Sequence, residues 1–222
     1  MAQKVTICIF AKPPRPGLVK SRLAEDIGAN AAAAIADALL TDTVVAASHV
    51  RDARIILSVT EQFVFEGFAG ITQWLQPQGD LGLRVESTLR WALLDANVAF
   101  ALGADTPGIS TDLIDDAIGR TSIADAVLGP VDDGGYYLLG LKTCPEGLLT
   151  NVRWSTAHTL SDTEARLKKH EMSVLFTKRW FDIDTAADLE RARTEIIAGQ
   201  LHAPCLASEL TRIRIPAGLQ GI

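Results

Sequence analysis

Three short runs of β-branched and aliphatic residues constrain this chain most: Val5 to Phe10 (VTICIF), Ala53 to Val59 (ARIILSV) and Val98 to Leu102 (VAFAL). Each is nearly continuous in apolar side chains and too short for a helix. Each therefore reads as a strand buried on both faces. Helix-length segments lie between them. Gly28 to Ser48 is alanine-rich, with Ile35, Leu39 and Leu40 at helical spacing, and Leu83 to Ala96 puts Val85, Leu89, Ala92 and Leu93 on one face. Weaker strands are expected at Ile71 to Leu75, Ala126 to Leu128, Tyr136 to Leu141 and Ser173 to Phe176. Further helices are expected at Thr111 to Gly119 behind a Ser110 cap, from a Ser161-x-x-Glu164 capping box to about His170, and at Ala186 to Ala198 behind Thr185. Strands alternating with helices require crossovers, hence a mostly parallel sheet. The expected architecture is one three-layer α/β domain over residues 1–199, followed by a C-terminal tail over 200–222. Within that tail, Leu210 to Ile215 alternates and reads as an edge strand or a dimer contact.

Composition narrows the function classes. Apolar residues make up 48% and charged residues 22% of the 222 positions, so the chain has enough core-forming side chains to fold rather than stay disordered. The net charge of −6 argues against a nucleic-acid or anionic-membrane partner, which calls for a basic balance. Cys8, Cys144 and Cys205 are too scattered for a disulfide framework or a CxxC metal site. The apolar run near the N-terminus is too short for a secretory signal, and no run of about 18 apolar residues occurs, so a cytoplasmic location with no membrane partner is expected.

In an open α/β sheet, ligands gather at the carboxyl ends of the strands. Four segments at such positions carry chemistry. The first runs from Lys12 to Leu23 and places Lys12, Arg15, Lys20 and Arg22 within eleven residues of an acidic protein. Together with Gly17 and amides at a helix start, these cations suit an anion. The loop has neither Walker A nor G-x-G-x-x-G spacing, so side chains carry more of the binding. The second is Asp105 in Gly103-Ala104-Asp105-Thr106-Pro107, either a hard oxygen ligand for Mg²⁺ or Mn²⁺ or a turn residue. The third is Asp132-Asp133-Gly134-Gly135, two carboxylates on a turn. The fourth is Asp182-Ile183-Asp184-Thr185, either a second metal ligand or a helix cap, with Asp188 as a cap partner. Gln76 to Arg84 adds amide groups able to read a base edge. Trp154-Ser155-Thr156 is read as part of an acceptor pocket or, for Trp154, as core.

Taken in order, these motifs resemble the DUF2064 family, which is similar to 2-phospholactate guanylyltransferase and, more broadly, to the GT-A or nucleotide-diphospho-sugar transferase superfamily. The resemblance spans about residues 4–193. It implies a three-layer α/β/α GT-A fold with a mixed, mainly parallel sheet. It implies that Asp105 and Asp184 hold a divalent ion, Mg²⁺ or Mn²⁺. It implies that Lys12, Gly17, Lys20 and Arg22 clamp phosphate, that Gln78, Gly79 and Gly82 lie beside the base, and that Asp133 faces the acceptor with Gly134 and Gly135. Ala104, Thr106 and Ala186 stand where the family pattern usually has other residues, but no presumed ligand is lost.

Two catalytic readings follow. A nucleotidyltransferase would join the NMP part of an NTP to a small phosphate- or carboxylate-bearing acceptor and release pyrophosphate, with Lys20, Arg22, Asp105 and Asp133 as its catalytic set. A glycosyltransferase would use a nucleotide-diphospho-sugar donor on the same fold. A nucleotide-binding module without turnover is the third alternative. A homodimer is a general expectation for soluble enzymes and is not read from these residues.

Overall fold

The computed structural model describes residues 4–68 and 70–213. Seven strands form one sheet: β1 (Val5–Ala11), β2 (Ala53–Val59), β3 (Thr72–Leu75), β4 (Val98–Gly103), β5 (Ala126–Pro130), β6 (Tyr136–Leu141) and β7 (Val174–Phe176). Their order is β3-β2-β1-β4-β6-β5-β7. Every neighbouring pair is parallel except the two made by β6, which runs antiparallel to β4 and β5. The sheet is therefore mixed and mainly parallel.

The helices are α1 (Ser21–Ile27), α2 (Ala29–Ser48), α3 (Leu81–Ala92), α4 (Thr111–Arg120), α5 (Thr159–Lys169), α6 (Ala186–Ile197) and α7 (Pro204–Leu210). Alternation along the strands sorts side chains to two faces. Val5, Ile7 and Ile9 of β1 join Leu40 and Val44 of α2 and Ile114 and Ala117 of α4. Cys8 of the same strand joins Val85 and Leu89 of α3 and Leu167 of α5 on the other face. A third cluster lies among α1, α2, α6 and α7, around Leu23, Ile35, Leu189 and Leu206. The three-layer arrangement read from the sequence is the one observed.

Two local expectations are corrected. Ser161 and Glu164 do not form a capping box. The helix begins at Thr159, where Leu160 N–H donates to Gly134 C=O at 2.9 Å, while Ser161 Oγ turns back to His158 C=O. A tertiary contact thus sets that helix start. Nor does the alternation at Leu210 to Ile215 make an edge strand over 210–213. Leu210 ends α7, and Arg214 and Ile215 lie outside the described residues.

Residues 201–213 pack onto the domain. Leu201, Ala203, Leu206 and Leu210 are buried in the third cluster. Asp42 of α2, only 8% exposed, accepts from Cys205 N–H at 3.0 Å and Leu206 N–H at 3.1 Å. Helix α2 has the length and mean hydropathy (1.4) of a membrane span, but 56% of its apolar window is buried inside this domain and it carries Asp37 and Asp42. It is the core helix of the domain's first crossover.

Candidate functional site at the carboxyl edge of the sheet

The sheet's parallel strands deliver their following loops to one edge. The loop after β1 bends at Gly17 (φ 80°) and enters α1 through Lys20, whose backbone is left-handed at φ 50°. A lysine adopts that conformation at a cost of roughly 1–2 kcal/mol. The turn directs its side chain inward, leaving only 3% of it exposed. The ammonium lies against Asp105, which follows β4, and 3.7 Å from an Asp184 oxygen. Those carboxylates are 61% and 50% exposed, so the buried partner is the cation and the open ones are the anions. No acceptor among the described residues meets Lys20 Nζ with hydrogen-bonding geometry.

A strap after β7 carries Asp184 to this place. Trp180 N–H donates to Pro130 C=O at 2.9 Å, Trp180 Nε1 to Pro107 C=O at 2.7 Å, and Ile183 N–H to Asp105 C=O at 3.0 Å. The last contact locks the two aspartate segments together. Asp182 and Asp184 divide their tasks. Asp182 is largely withdrawn from water and accepts from Thr106 Oγ1; burial pushes its carboxyl up to about 6, against the pull of the Thr106 hydroxyl. Asp184 faces Lys20. Asp188 accepts from Thr185 N–H and Oγ1 in a capping box that starts α6, as expected for a cap partner.

A crevice of about 410 Å³ opens between the loops after β1, β2 and β3, sharing with this cluster the loop that carries Lys20. That volume lies within the range of small-ligand sites, roughly 300–1,000 Å³. Lys12, Pro13, Leu18, Thr60, Glu61, Gln76, Pro77, Gln78 and Arg84 line it. Gln76 is buried and fixed by donation from its Nε2 to Ser58 C=O at 2.8 Å. Asp80 caps α3 by accepting from Leu83 N–H at 2.8 Å. Thr60 and Glu61 were missed in the sequence; their signal was position, directly after β2. Glu61 pairs with Arg15 at 2.5 Å. Among the described residues, Lys12 and Arg22 form no ion pair, so two of the loop's four cations remain uncommitted.

The other site residues separate. Gly79 is exposed, and its carbonyl accepts from Arg84 Nε at 3.0 Å. Gly82 is buried, and a Cβ there would stand 2.7 Å from Trp154 Nε1 and 3.2 Å from Leu149 C=O. Its lack of a side chain is explained by the indole packed on it. Trp154 itself is partly buried against the second core cluster, with its ring edge-on to Tyr136 at 6.1 Å. Tyr137 is a sheet residue whose hydroxyl is bonded to Thr177 at 2.7 Å. In the double-aspartate turn, Asp132 is held by Arg191 at 2.8 Å and Asp133 accepts from Gly135 N–H at 2.8 Å. Gly134, at φ 88°, sits on the Ala157 backbone where no Cβ fits.

Can the residues hold the divalent ion that the resemblance implies? Among the described residues no three His, Cys, Asp or Glu side chains cluster for a metal. Asp105 and Asp184 do supply two hard carboxylate oxygens converging on one point, and a buried cation already occupies that point. Two carboxylates with phosphate oxygens and water completing the shell is a common arrangement for Mg²⁺. The residues fit such an ion.

Comparison with known proteins agrees with this architecture. A structure from Desulfovibrio desulfuricans G20, described as a "putative nucleotide-diphospho-sugar transferase", is 25% identical, with a TM-score of 0.85 and 95% of each chain covered. CMP:2-keto-3-deoxy-manno-octonic acid synthetase complexed with CTP is 12% identical, with a TM-score of 0.58 over 89% of this chain and 100% of that one. 4-Diphosphocytidyl-2C-methyl-D-erythritol synthase from Anaerococcus prevotii DSM 20548 is also 12% identical, with a TM-score of 0.57 over 88% and 99%. The fold is thus the GT-A, nucleotide-diphospho-sugar transferase-like one. No curated protein matches the sequence. The family model described as "Uncharacterized protein conserved in bacteria (DUF2064)" matches residues 31–156, more than half the chain, and the protein belongs to that family.

Proposed function

We propose that this chain is a nucleotidyltransferase that joins an NMP moiety to a small phosphate- or carboxylate-bearing acceptor and releases pyrophosphate. The observation that carries the reading is the convergence of Asp105, Asp184 and the buried Lys20, whose loop after β1 also lines a crevice. A nucleotide would lay its base in the crevice near Gln78, with its phosphates toward Lys12, Lys20 and Arg22. Mg²⁺ or Mn²⁺ held by Asp105 and Asp184 would supply charge neutralisation at the phosphates.

Phosphoryl-group chemistry asks a protein mainly for positioning and charge. Here Lys12 and Arg22 bind phosphate oxygens. Lys20 neutralises charge that develops on the departing pyrophosphate. Asp133, with one oxygen fixed by Gly135 N–H, would help orient the acceptor, whose phosphate or carboxylate oxygen is already ionised and needs no base. Gln76, Pro77 and Leu18 would offer the base a partly apolar wall.

The Desulfovibrio relative's description supports a second reading, sugar transfer from a nucleotide-diphospho-sugar, with Asp133 as base on an acceptor hydroxyl. Thermal unfolding with Mg²⁺ or Mn²⁺, the four NTPs, UDP-glucose and GDP-mannose separates the two. A ligand at about 100 times its Kd adds roughly 2.7 kcal/mol. Stabilisation by one NTP alone supports nucleotidyl transfer; stabilisation by a sugar nucleotide supports the second reading. Silence with every donor refutes both. Asp105→Asn should abolish the metal-dependent part of the shift.

A further inference from the structure

The side chain of Lys20 is buried to 3% exposure although it ends in a charge, and its Nζ has no hydrogen-bond acceptor in good geometry among the described residues. Such a group is costly unless compensated. Its compensation is anionic: Asp105 in contact and Asp184 at 3.7 Å. These are the same two exposed carboxylates that would ligate a divalent ion.

From this we infer that Lys20 is a tethered stand-in for the metal, so that a divalent ion does not bind this protein by itself but enters together with phosphate. The inference rests on the proposed role of Asp105 and Asp184. Without ligand, the single ammonium offsets one of the two negative charges, contacting Asp105 and standing 3.7 Å from Asp184 in the space between them. A divalent ion and the ammonium would then share one pair of carboxylates at a separation of a few ångströms, where like charges repel strongly. Phosphate oxygens change the balance, because they offer the ammonium new acceptors and the ion new ligands at once. The left-handed backbone at Lys20 sets the origin of the side chain, and the flexible four-carbon stem lets its end move between the aspartates and a phosphate.

The test is Mn²⁺ binding, followed by the electron-spin resonance of free Mn²⁺, on the intact chain and with no nucleotide. Wild type should bind weakly. Lys20→Met and Lys20→Gln, both uncharged, should bind Mn²⁺ about ten-fold more tightly or better. Lys20→Arg, which keeps the charge, should stay weak, and Lys20→Met combined with Asp105→Asn should lose the gain. Circular dichroism confirms that each variant is folded. Equal or weaker Mn²⁺ binding by both uncharged variants overturns the inference.

A second measurement needs no variant. In wild type, Mg²⁺ alone should leave the melting temperature unchanged, whereas Mg²⁺ with inorganic tripolyphosphate should raise it beyond tripolyphosphate alone. If Mg²⁺ alone stabilises as much as the pair, the stand-in role is wrong while the metal site stands. If neither wild type nor the uncharged variants respond to metal under any condition, the metal site and the stand-in role fail together.

Discussion

Asp42→Asn tests whether residues 201–213 are part of the domain. Helix α7 begins with Ala203, which has no capping side chain, and with Pro204 at its first position, which has no N–H to satisfy. The next two amides, Cys205 and Leu206, both donate to Asp42, one to each carboxylate oxygen. The helix is therefore capped from α2, across 163 residues of sequence. Its charge also lies at the positive end of the helix dipole.

Asparagine preserves size but offers one acceptor and one donor where two acceptors are needed. One N–H keeps its bond; the other meets an NH₂ group. A hydrogen bond to a charged group contributes roughly 1.5–3 kcal/mol, and losing it in a buried place also leaves a donor unsatisfied. The lost dipole interaction adds roughly 0.3–1 kcal/mol. The expected loss is about 2–4 kcal/mol in total. At roughly 2–4 °C per kcal/mol for a domain of this size, the melting temperature should fall by about 5–15 °C. Circular dichroism gives the midpoint, and native-state hydrogen exchange locates the change. Faster exchange should be confined first to residues 201–213 and the facing turns of α2. A midpoint within 2 °C of wild type, with unchanged exchange there, would refute the argument that this carboxylate joins the segment to the core.

Further substitutions test other contacts. Gly82→Ala gains helix propensity worth roughly 0.5–1 kcal/mol but drives a methyl onto the Trp154 indole, so it should destabilise by about 1 kcal/mol net and leave nucleotide affinity unchanged. A several-fold loss of affinity at 25 °C would instead place Gly82 against the ligand. Gly134→Ala combines a left-handed backbone with a collision on the Ala157 main chain, and should cost at least about 2 kcal/mol, read as a lower unfolding midpoint. Burial pushes the Cys8 and Cys144 thiols up to about 12 and Cys205 up to about 11, so at pH 8 all three should react slowly with a disulfide reagent until denaturant is added. Rapid modification of Cys8 in native buffer would contradict its place in the sheet.

The strands were legible because burial on both faces leaves few sequence options. VTICIF, ARIILSV and VAFAL are β1, β2 and β4 with at most one residue of difference at an end. Ser110 and Thr185 were legible as caps because each bonds an amide three residues ahead, an interaction contained in the local sequence. What local sequence did not contain was misread. The start of α5 is set by Gly134, and the cap of α7 is supplied by Asp42. In both places the deciding partner is distant, so the nearby Ser161-x-x-Glu164 pattern and the alternation at 210–215 pointed elsewhere. Gly28, at φ 86°, separates α1 from α2, a break that the alanine-rich pattern downstream did not reveal.

The candidate site shows the same division. Position after a strand was enough to select Asp105, and the two-residue alternation was enough to select Asp182 with Asp184. Their difference was not legible, because it depends on Thr106 and on the strap that Trp180 and Ile183 pin to the loop after β4. Charge counting in the loop after β1 treated four cations as equivalent. Packing makes them unequal: Arg15 is committed to Glu61, Lys20 to the aspartates, and Lys12 and Arg22 to nothing described. A basic loop in sequence is thus, in three dimensions, one lysine shared by two acids, one arginine paired with Glu61, and two cations with no ion pair among the described residues. If Lys20 competes with a metal for those acids, as inferred above, a bare ion gains less there than one that arrives with a polyphosphate. That division of the cations links the fold to the proposed chemistry more tightly than the number of positive charges does.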